Sequence, residues 1–325
     1  MNYKEILENV IKNGQPKQAV RFDGNNKPIP VENGTIGTFC EIFRHDMGEG
    51  FPLTTLRKMP FKSACVELEG FIKGITDKEW FQSRNCNFWK QWSNPIASEY
   101  EFEKSESSKN EPYNEQNKKL SQELCNDLGP IYGYQWRNFD GHYEQPHLSS
   151  LDKEFHHNPN GVKEGFDQFK SIVEKLKVNP YDRRMVCSAW NPNQLPMAAL
   201  PSCHYSFTVV VFGNELNLCW KQRSVDCILG LPNNIMSYAL LQCLLCIESG
   251  LIPGELVGVL EDCHIYENHI DKAKELVTRD EKELPDIVVS WPNDKPFDIF
   301  KWEYTDVALE GYDPHPKLDM GKVTI

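Results

Sequence analysis

Three strand-like runs followed by one long apolar segment most constrain how this chain can fold. Met185 to Trp190, Tyr205 to Phe212 and Glu215 to Lys221 are rich in β-branched and aromatic residues, which suit a pleated, half-buried surface. Gly213-Asn214, between the last two runs, is a hairpin turn signal, because both residue types tolerate the backbone of a tight turn. Residues 233–249 then predict a long buried helix. Its apolar stretch, Met236 to Ile247, is interrupted by Gln242 and is short for a bilayer span. Upstream, residues 3–13 predict a helix stopped by Asn13-Gly14. Residues 61–74 predict another, with Val66, Phe71 and Ile72 as its apolar residues, and 163–176 predict an amphipathic third. Residues 22–37 are rich in Gly, Asn and Pro and read as a long loop. Strands mixed with flanking helices, without regular alternation, indicate an α+β fold.

The chain reads as a single domain over 1–325 with a polar insertion at about 94–127, where Glu99, Glu101, Glu103, Lys104 and Glu106 outnumber apolar anchors. A net charge of -12 argues against nucleic-acid binding, which needs a clustered positive surface. No glycine-rich phosphate loop is present, which disfavours a nucleoside triphosphatase or a dinucleotide-dependent dehydrogenase. Met1-Asn2-Tyr3-Lys4-Glu5 starts an amphipathic helix instead of an apolar signal region. Eleven cysteines without such a signal read as reduced thiols in a cytoplasm. Cys243 and Cys246 have C-x-x-C spacing, but they lie in the apolar helix with no second Cys or His pair, so they read as core residues and no metal is expected.

Chemistry concentrates in Leu200-Pro201-Ser202-Cys203-His204, Gln222-Arg223-Ser224-Val225-Asp226 and Gly230-Leu231-Pro232-Asn233-Asn234. That order suggests a thiolate that attacks a ring, an arginine that holds an anion, and an amide that reads the ring's edge. On residue type alone Cys203 is either a nucleophile activated by nearby positive charge such as Arg223 or a small core thiol. Arg183-Arg184 is either a solvated charged turn or an anion clamp, since guanidinium forks bind phosphate oxygens bidentately. These segments, with Leu128-Gly129-Pro130-Ile131-Tyr132-Gly133-Tyr134-Gln135-Trp136-Arg137, Phe88-Trp89-Lys90-Gln91-Trp92 and Glu310-Gly311-Tyr312-Asp313-Pro314-His315-Pro316, resemble the thymidylate synthase family. The resemblance covers roughly residues 3–92 and 125–325.

The resemblance implies a thymidylate synthase-like fold, a mixed sheet packed with helices, and a homodimer formed through the sheet. It implies dUMP as substrate and 5,10-methylenetetrahydrofolate as one-carbon donor, with no metal, DNA or membrane partner. Cys203, in its Pro-x-Cys-His204 setting, matches the nucleophile, Glu67 the glutamate that organises proton-transfer water, and Tyr132 the catalytic tyrosine. Arg21, Arg223 and Ser224, with Gln222 beside them, match the substrate-binding set, and Arg183 and Arg184 match the pair that serves the neighbouring subunit's phosphate. Asn234 matches the residue that hydrogen-bonds the pyrimidine, and His264 and Tyr266 match the pair that bonds the sugar hydroxyl. Trp89, Trp92, Asp226, Gly230 and the C-terminal Ile325 match the folate site.

Two segments depart from the family pattern: Glu67-Leu68-Glu69-Gly70 stands for Glu-Leu-Leu-Trp, and Pro232-Asn233-Asn234 for Pro-Phe-Asn. Both put polar groups where the family is apolar. At both points the chain resembles the superfamily's phage deoxycytidylate hydroxymethylase, but with Asn234 in place of its aspartate, which implies uracil instead of cytosine. A buried water needs two to four polar partners, and Glu69 and Asn233 can supply them. The expectation is therefore a dUMP hydroxymethylase of the kind phages use in DNA modification, in a host cytoplasm. Thymidylate synthase is the alternative, favoured by the retained Trp89.

Overall fold

A computed structural model describes residues 1–18, 20–22, 28–30, 33–105, 115–143, 164–292 and 294–319, with backbone alone at 20–22, 28–30, 115, 116, 118 and 119. In chain order the elements begin α1 (Tyr3–Asn13), β1 (Gln15–Lys17), β2 (Val20–Phe22), β3 (Pro28–Pro30), β4 (Thr35–Asp46), α2 (Phe61–Lys73) and α3 (Lys78–Gln82). Next come α4 (Pro95–Lys104), α5 (Glu115–Leu124), α6 (Tyr132–Asn138), α7 (Gln168–Val178), β5 (Val186–Ser188), β6 (His204–Phe212) and β7 (Glu215–Gln222). The chain ends with β8 (Val225–Asp226), α8 (Gly230–Ser249), β9 (Ile252–Tyr266), α9 (Ile270–Val277), β10 (Asp286–Val289) and β11 (Val307–Glu310). The mixture of elements is α+β, as the sequence predicts.

The chain folds as two compact units. The first comprises residues 1–61, 207–297 and 305–325. Its sheet runs β1-β4-β9-β7-β6, with β8 also paired to β9. The β1/β4 and β4/β9 ladders are antiparallel, whereas β7 and β8 pair with β9 in parallel. The predicted hairpin is present: Gly213, at φ +60, lets β6 return as β7. Helix α8 is long and apolar enough to cross a membrane, yet most of it is buried inside the unit, from Leu231 and Ile235 to Leu244 and Leu245. Each such leucine contributes about 1.5–3 kcal/mol when removed from water. The helix ends where Gly250 takes a left-handed conformation and donates its N–H to Cys246.

The second unit comprises residues 62–206 and 298–304. It packs α2, α6 and α7 around Phe71, Trp136 and Phe169, and the last two rings stack with centroids 5.9 Å apart. Strand β5 lies here, beside the first residues of β6, where Ala189 donates to the Tyr205 carbonyl. The polar stretch at 94–127 contains α4 and α5, and α4 is capped by the Asn94 side chain.

Two expectations change. The loop expected at 22–37 includes β3, which pairs with β2 at its upstream edge, and the start of β4. Proline and glycine suggested a loop, but edge strands accept proline. Helix α1 does stop at Gly14, though in an extended conformation and not a left-handed one. Glycine is needed there because a Cβ would stand 2.4 Å from the Val10 carbonyl oxygen.

Candidate active site

In the second unit an aromatic cluster surrounds the candidate nucleophile. Cys203 precedes β6, half-buried, and its backbone N–H donates to the Tyr132 hydroxyl at 2.8 Å. The Tyr132 ring stacks on Phe71 (centroids 5.0 Å, 25° between planes) and on His204 (4.1 Å, 20°). Trp89 meets both Phe71 and Tyr132 edge-on. Stacking therefore aims the Tyr132 hydroxyl, and the hydroxyl in turn fixes the backbone at Cys203. Burial drives the His204 imidazole down to about 3, so it is neutral at pH 7 and packs as a wall of the cluster.

Glu67 and Phe71 lie one turn apart on α2 and so share a face. The Glu67 carboxylate accepts the Trp89 indole N–H at 2.9 Å. Burial pushes this carboxyl up to about 7, against the opposing pull of the Trp89 N–H. A group half-ionised near neutrality can both take and give a proton. Glu69 differs sharply. It is 1% exposed, with one oxygen on Lys73 Nζ at 2.6 Å and the other accepting the Tyr304 N–H at 2.9 Å. Its carboxylate ties α2 to residues 298–304 of the same unit. Trp92 is half-exposed, with its backbone N–H on the Trp89 carbonyl.

Arg183 is exposed, whereas Arg184 is held in a two-pronged pair by Asp182, Nε at 2.9 Å and Nη2 at 2.7 Å. The Arg184 guanidinium keeps the Asp182 carboxyl well below the usual carboxylate range.

The first unit holds the residues expected to recognise the nucleotide. Asn234, in the first turns of α8, has its Oδ1 hydrogen-bonded by Gln222 Nε2 at 3.0 Å. Gln222 is 2% exposed and also donates to the Ser224 carbonyl. Arg223 and Ser224 are half-buried beside it. One oxygen of Asp226 accepts the Ile228 and Leu229 N–H groups at 2.8 and 3.1 Å, and no hydrogen bond among the described residues takes the other. Such a carboxylate can still hold an N–H donor on a flat heterocycle. Gly230 leaves space above this pair, since a Cβ there would only touch Asn234 and Asp226 at 3.7 Å. His264 is oriented by Nδ1 on the Asp262 carbonyl at 3.1 Å and meets the Tyr266 ring edge-on. Asn233 donates to the Leu229 carbonyl at 2.7 Å, and its buried Oδ1 has no partner among the described residues.

The profile of the thymidylate synthase family matches residues 1–324. The chain belongs to the thymidylate synthase family. A thymidylate synthase of Mycoplasma pneumoniae is 35% identical over 308 residues, covering 93% of this chain and 95% of the relative. One of Listeria monocytogenes is 34% identical over 323 residues, covering 93% and 96%, and one of Listeria innocua is equally similar. Membership makes the chain a one-carbon transferase of the class that acts on dUMP with a folate co-substrate.

Within each unit the structure brings sequence-identified residues together: Cys203, His204, Tyr132, Glu67 and Trp89 in one, Gln222, Ser224 and Asn234 in the other. The Arg21 side chain and Ile325 lie outside the described residues. Two contributors were missed. Phe71 was read only as helix core, although it contacts Tyr132, Trp89 and His204. Trp220 was read only as a strand residue, although its indole N–H bonds Gln222 at 3.2 Å. The available signals were Phe71 four residues after Glu67 and Trp220 two residues before Gln222. Among the described residues no cluster of His, Cys, Asp and Glu could hold a metal.

Proposed function

We propose that this chain is a thymidylate synthase, converting dUMP and methylenetetrahydrofolate to dTMP and dihydrofolate. The observation that carries the choice over hydroxymethylation is Glu69. Both its oxygens are already held, by Lys73 and by the Tyr304 amide. The carboxylate expected to position a hydrating water serves instead as a buried internal tie. Trp89, which a synthase needs for shielding, is 4% exposed and anchored to Glu67. The relatives' own names agree with this reading.

Cys203 adds as a thiolate to C6 of the pyrimidine, forming a C–S bond and moving the ring's electron pair to C5. Bound methylenetetrahydrofolate supplies the methylene carbon and, on oxidation to dihydrofolate, the hydride that completes the methyl group. Glu67, near its midpoint at neutral pH, organises the water that relays protons as C5 loses its own. Expulsion of Cys203 from C6 then restores the aromatic ring and the thiolate. Asn234 reads the base, and Asp226, Gly230, Trp89, Trp92 and Ile325 hold the folate. Arg21, Arg223 and Ser224 bind the phosphate. Asp182 uses two of the five guanidinium N–H donors of Arg184, leaving three for an anion. Arg183 and Arg184 would serve a second subunit of a homodimer. The eleven free thiols fit a reducing cytoplasm.

The second reading, dUMP hydroxymethylation, keeps one supporting observation: the unpartnered, buried Oδ1 of Asn233 could hold a water. Covalent catalysis is common to both readings and is tested first. 5-Fluoro-dUMP carries at C5 a fluorine that cannot leave as a cation, so it should arrest the reaction with nucleotide and folate on the Cys203 peptide. Mass spectrometry should find that adduct in the native protein and none in Cys203→Ser. An adduct surviving in Cys203→Ser, or none in the native protein, would overturn the assignment.

A further inference from the structure

We propose that Trp220 is a specificity-positioning residue: its indole N–H, acting through Gln222, fixes which way the Asn234 amide faces and so favours uracil over cytosine. The proposal rests on the reading of Asn234 as the residue that contacts the base.

The relay is built from fully oriented parts. Trp220 is buried on β7, stacked on Tyr238 with centroids 5.2 Å apart and planes within 9°, and flanked by Phe43 at 5.6 Å. Its register partner on β9 is Gly258, where a Cβ would stand 2.4 Å from the indole ring. The neighbouring strand thus makes room for this ring. Residues i and i+2 of a strand share a face, which puts the Trp220 Nε1 within 3.2 Å of Gln222 Oε1.

An indole N–H can only donate, so the amide oxygen of Gln222 must face it. The Gln222 NH2 group then points the other way, to the Ser224 carbonyl at 3.1 Å and to Asn234 Oδ1 at 3.0 Å. Asn234 is consequently oriented with its oxygen toward Gln222 and its NH2 group free to donate. Its oxygen retains a second lone pair. That arrangement donates to a C4 carbonyl and accepts from an N3–H, the edge of uracil. Cytosine offers an amino group at C4 and a bare acceptor at N3, and reading it requires the Asn234 amide to turn over. The turned amide would set its NH2 group against that of Gln222, donor against donor, in a site where unpaired polar groups are costly. Gln222 could relieve the clash only by turning over as well, and the Trp220 N–H opposes that. The Ser224 carbonyl is a second anchor, so losing Trp220 should weaken the discrimination and not abolish it.

The test is the ratio of dissociation constants for dUMP and dCMP in Trp220→Phe, which keeps an aromatic ring and removes the donor. If that variant does not fold, 3-benzothienylalanine at position 220 replaces the N–H by sulfur with almost no change of shape. We expect the preference for dUMP to fall by about two- to tenfold, the worth of one internal hydrogen bond. General loosening would weaken both nucleotides together and leave the ratio unmoved. An unchanged ratio in a folded variant would overturn the role of Trp220. Native protein with no preference between the two nucleotides would instead overturn the reading of Asn234, and with it the proposal.

Discussion

Glu67 shows how a local environment sets a residue's chemistry. Its carboxyl would ordinarily be ionised throughout the neutral range, yet burial lifts it to about 7 while the Trp89 N–H holds it from rising further. A folded pKa raised above the unfolded value means that the protonated form is the one favoured by folding. Its contribution to stability is complete below the ordinary carboxylate range and is lost as pH rises through about 7. Activity has the opposite slope if the carboxylate is the working form: turnover should rise with pH through the same region. Trp89→Phe removes the hydrogen bond that favours ionisation, so the rising limb of the rate profile should move to higher pH. Glu67→Gln should flatten that limb and lower turnover by about 10²- to 10⁴-fold, the usual worth of acid–base assistance. A limb unmoved by Trp89→Phe would show that another group sets it.

Helix α2 carries two glutamates two residues apart with opposite assignments, and only the fold separates them. Glu67 faces the aromatic cluster, whereas Glu69 binds Lys73 and the Tyr304 amide. We expect Glu69→Gln to destabilise the protein by about 1–3 kcal/mol, because Lys73 loses its buried partner, and to leave the product unchanged. Stability from denaturant unfolding and product identity from mass spectrometry check the two halves separately. The internal tie of Glu69 was only half legible in sequence: Lys73 stands four residues along the helix, whereas the second partner, Tyr304, lies 235 residues away. Sequence did identify α1, α2, α7 and α8, whose apolar spacing or length is a local property. It missed β4 and β9, the strands that share the longest ladder. Strand β9 contains Pro253, Gly254 and Gly258, which weaken a strand signal. Two of these have non-local reasons: Gly254 accommodates Asn217 of β7, and Gly258 accommodates Trp220. The motif residues of the site were legible one by one, but the Trp220 relay depends on sheet register and ring stacking and was not.

Across the whole molecule the remaining question is assembly. Strands of the first unit's sheet expose large apolar side chains: Phe39 on β4 is 85% exposed, and Phe212 on β6 is 71% exposed, two residues after the exposed Val210. We read these exposed side chains as candidates for an interaction face. We expect sedimentation to show a dimer, and the double substitution Phe39→Glu with Phe212→Glu to yield folded monomers with turnover reduced at least tenfold. Fully active monomers would exclude a contribution from Arg183 and Arg184 of a second subunit. The departures at Glu69 and Asn233 made hydroxymethylation the leading expectation from sequence. The internal ion pair of Glu69 is why we propose the reverse order. The most direct test is mass spectrometry of the nucleotide and folate formed from dUMP and methylenetetrahydrofolate. Thymidylate with dihydrofolate is the result we predict; 5-hydroxymethyl-dUMP with tetrahydrofolate would contradict it.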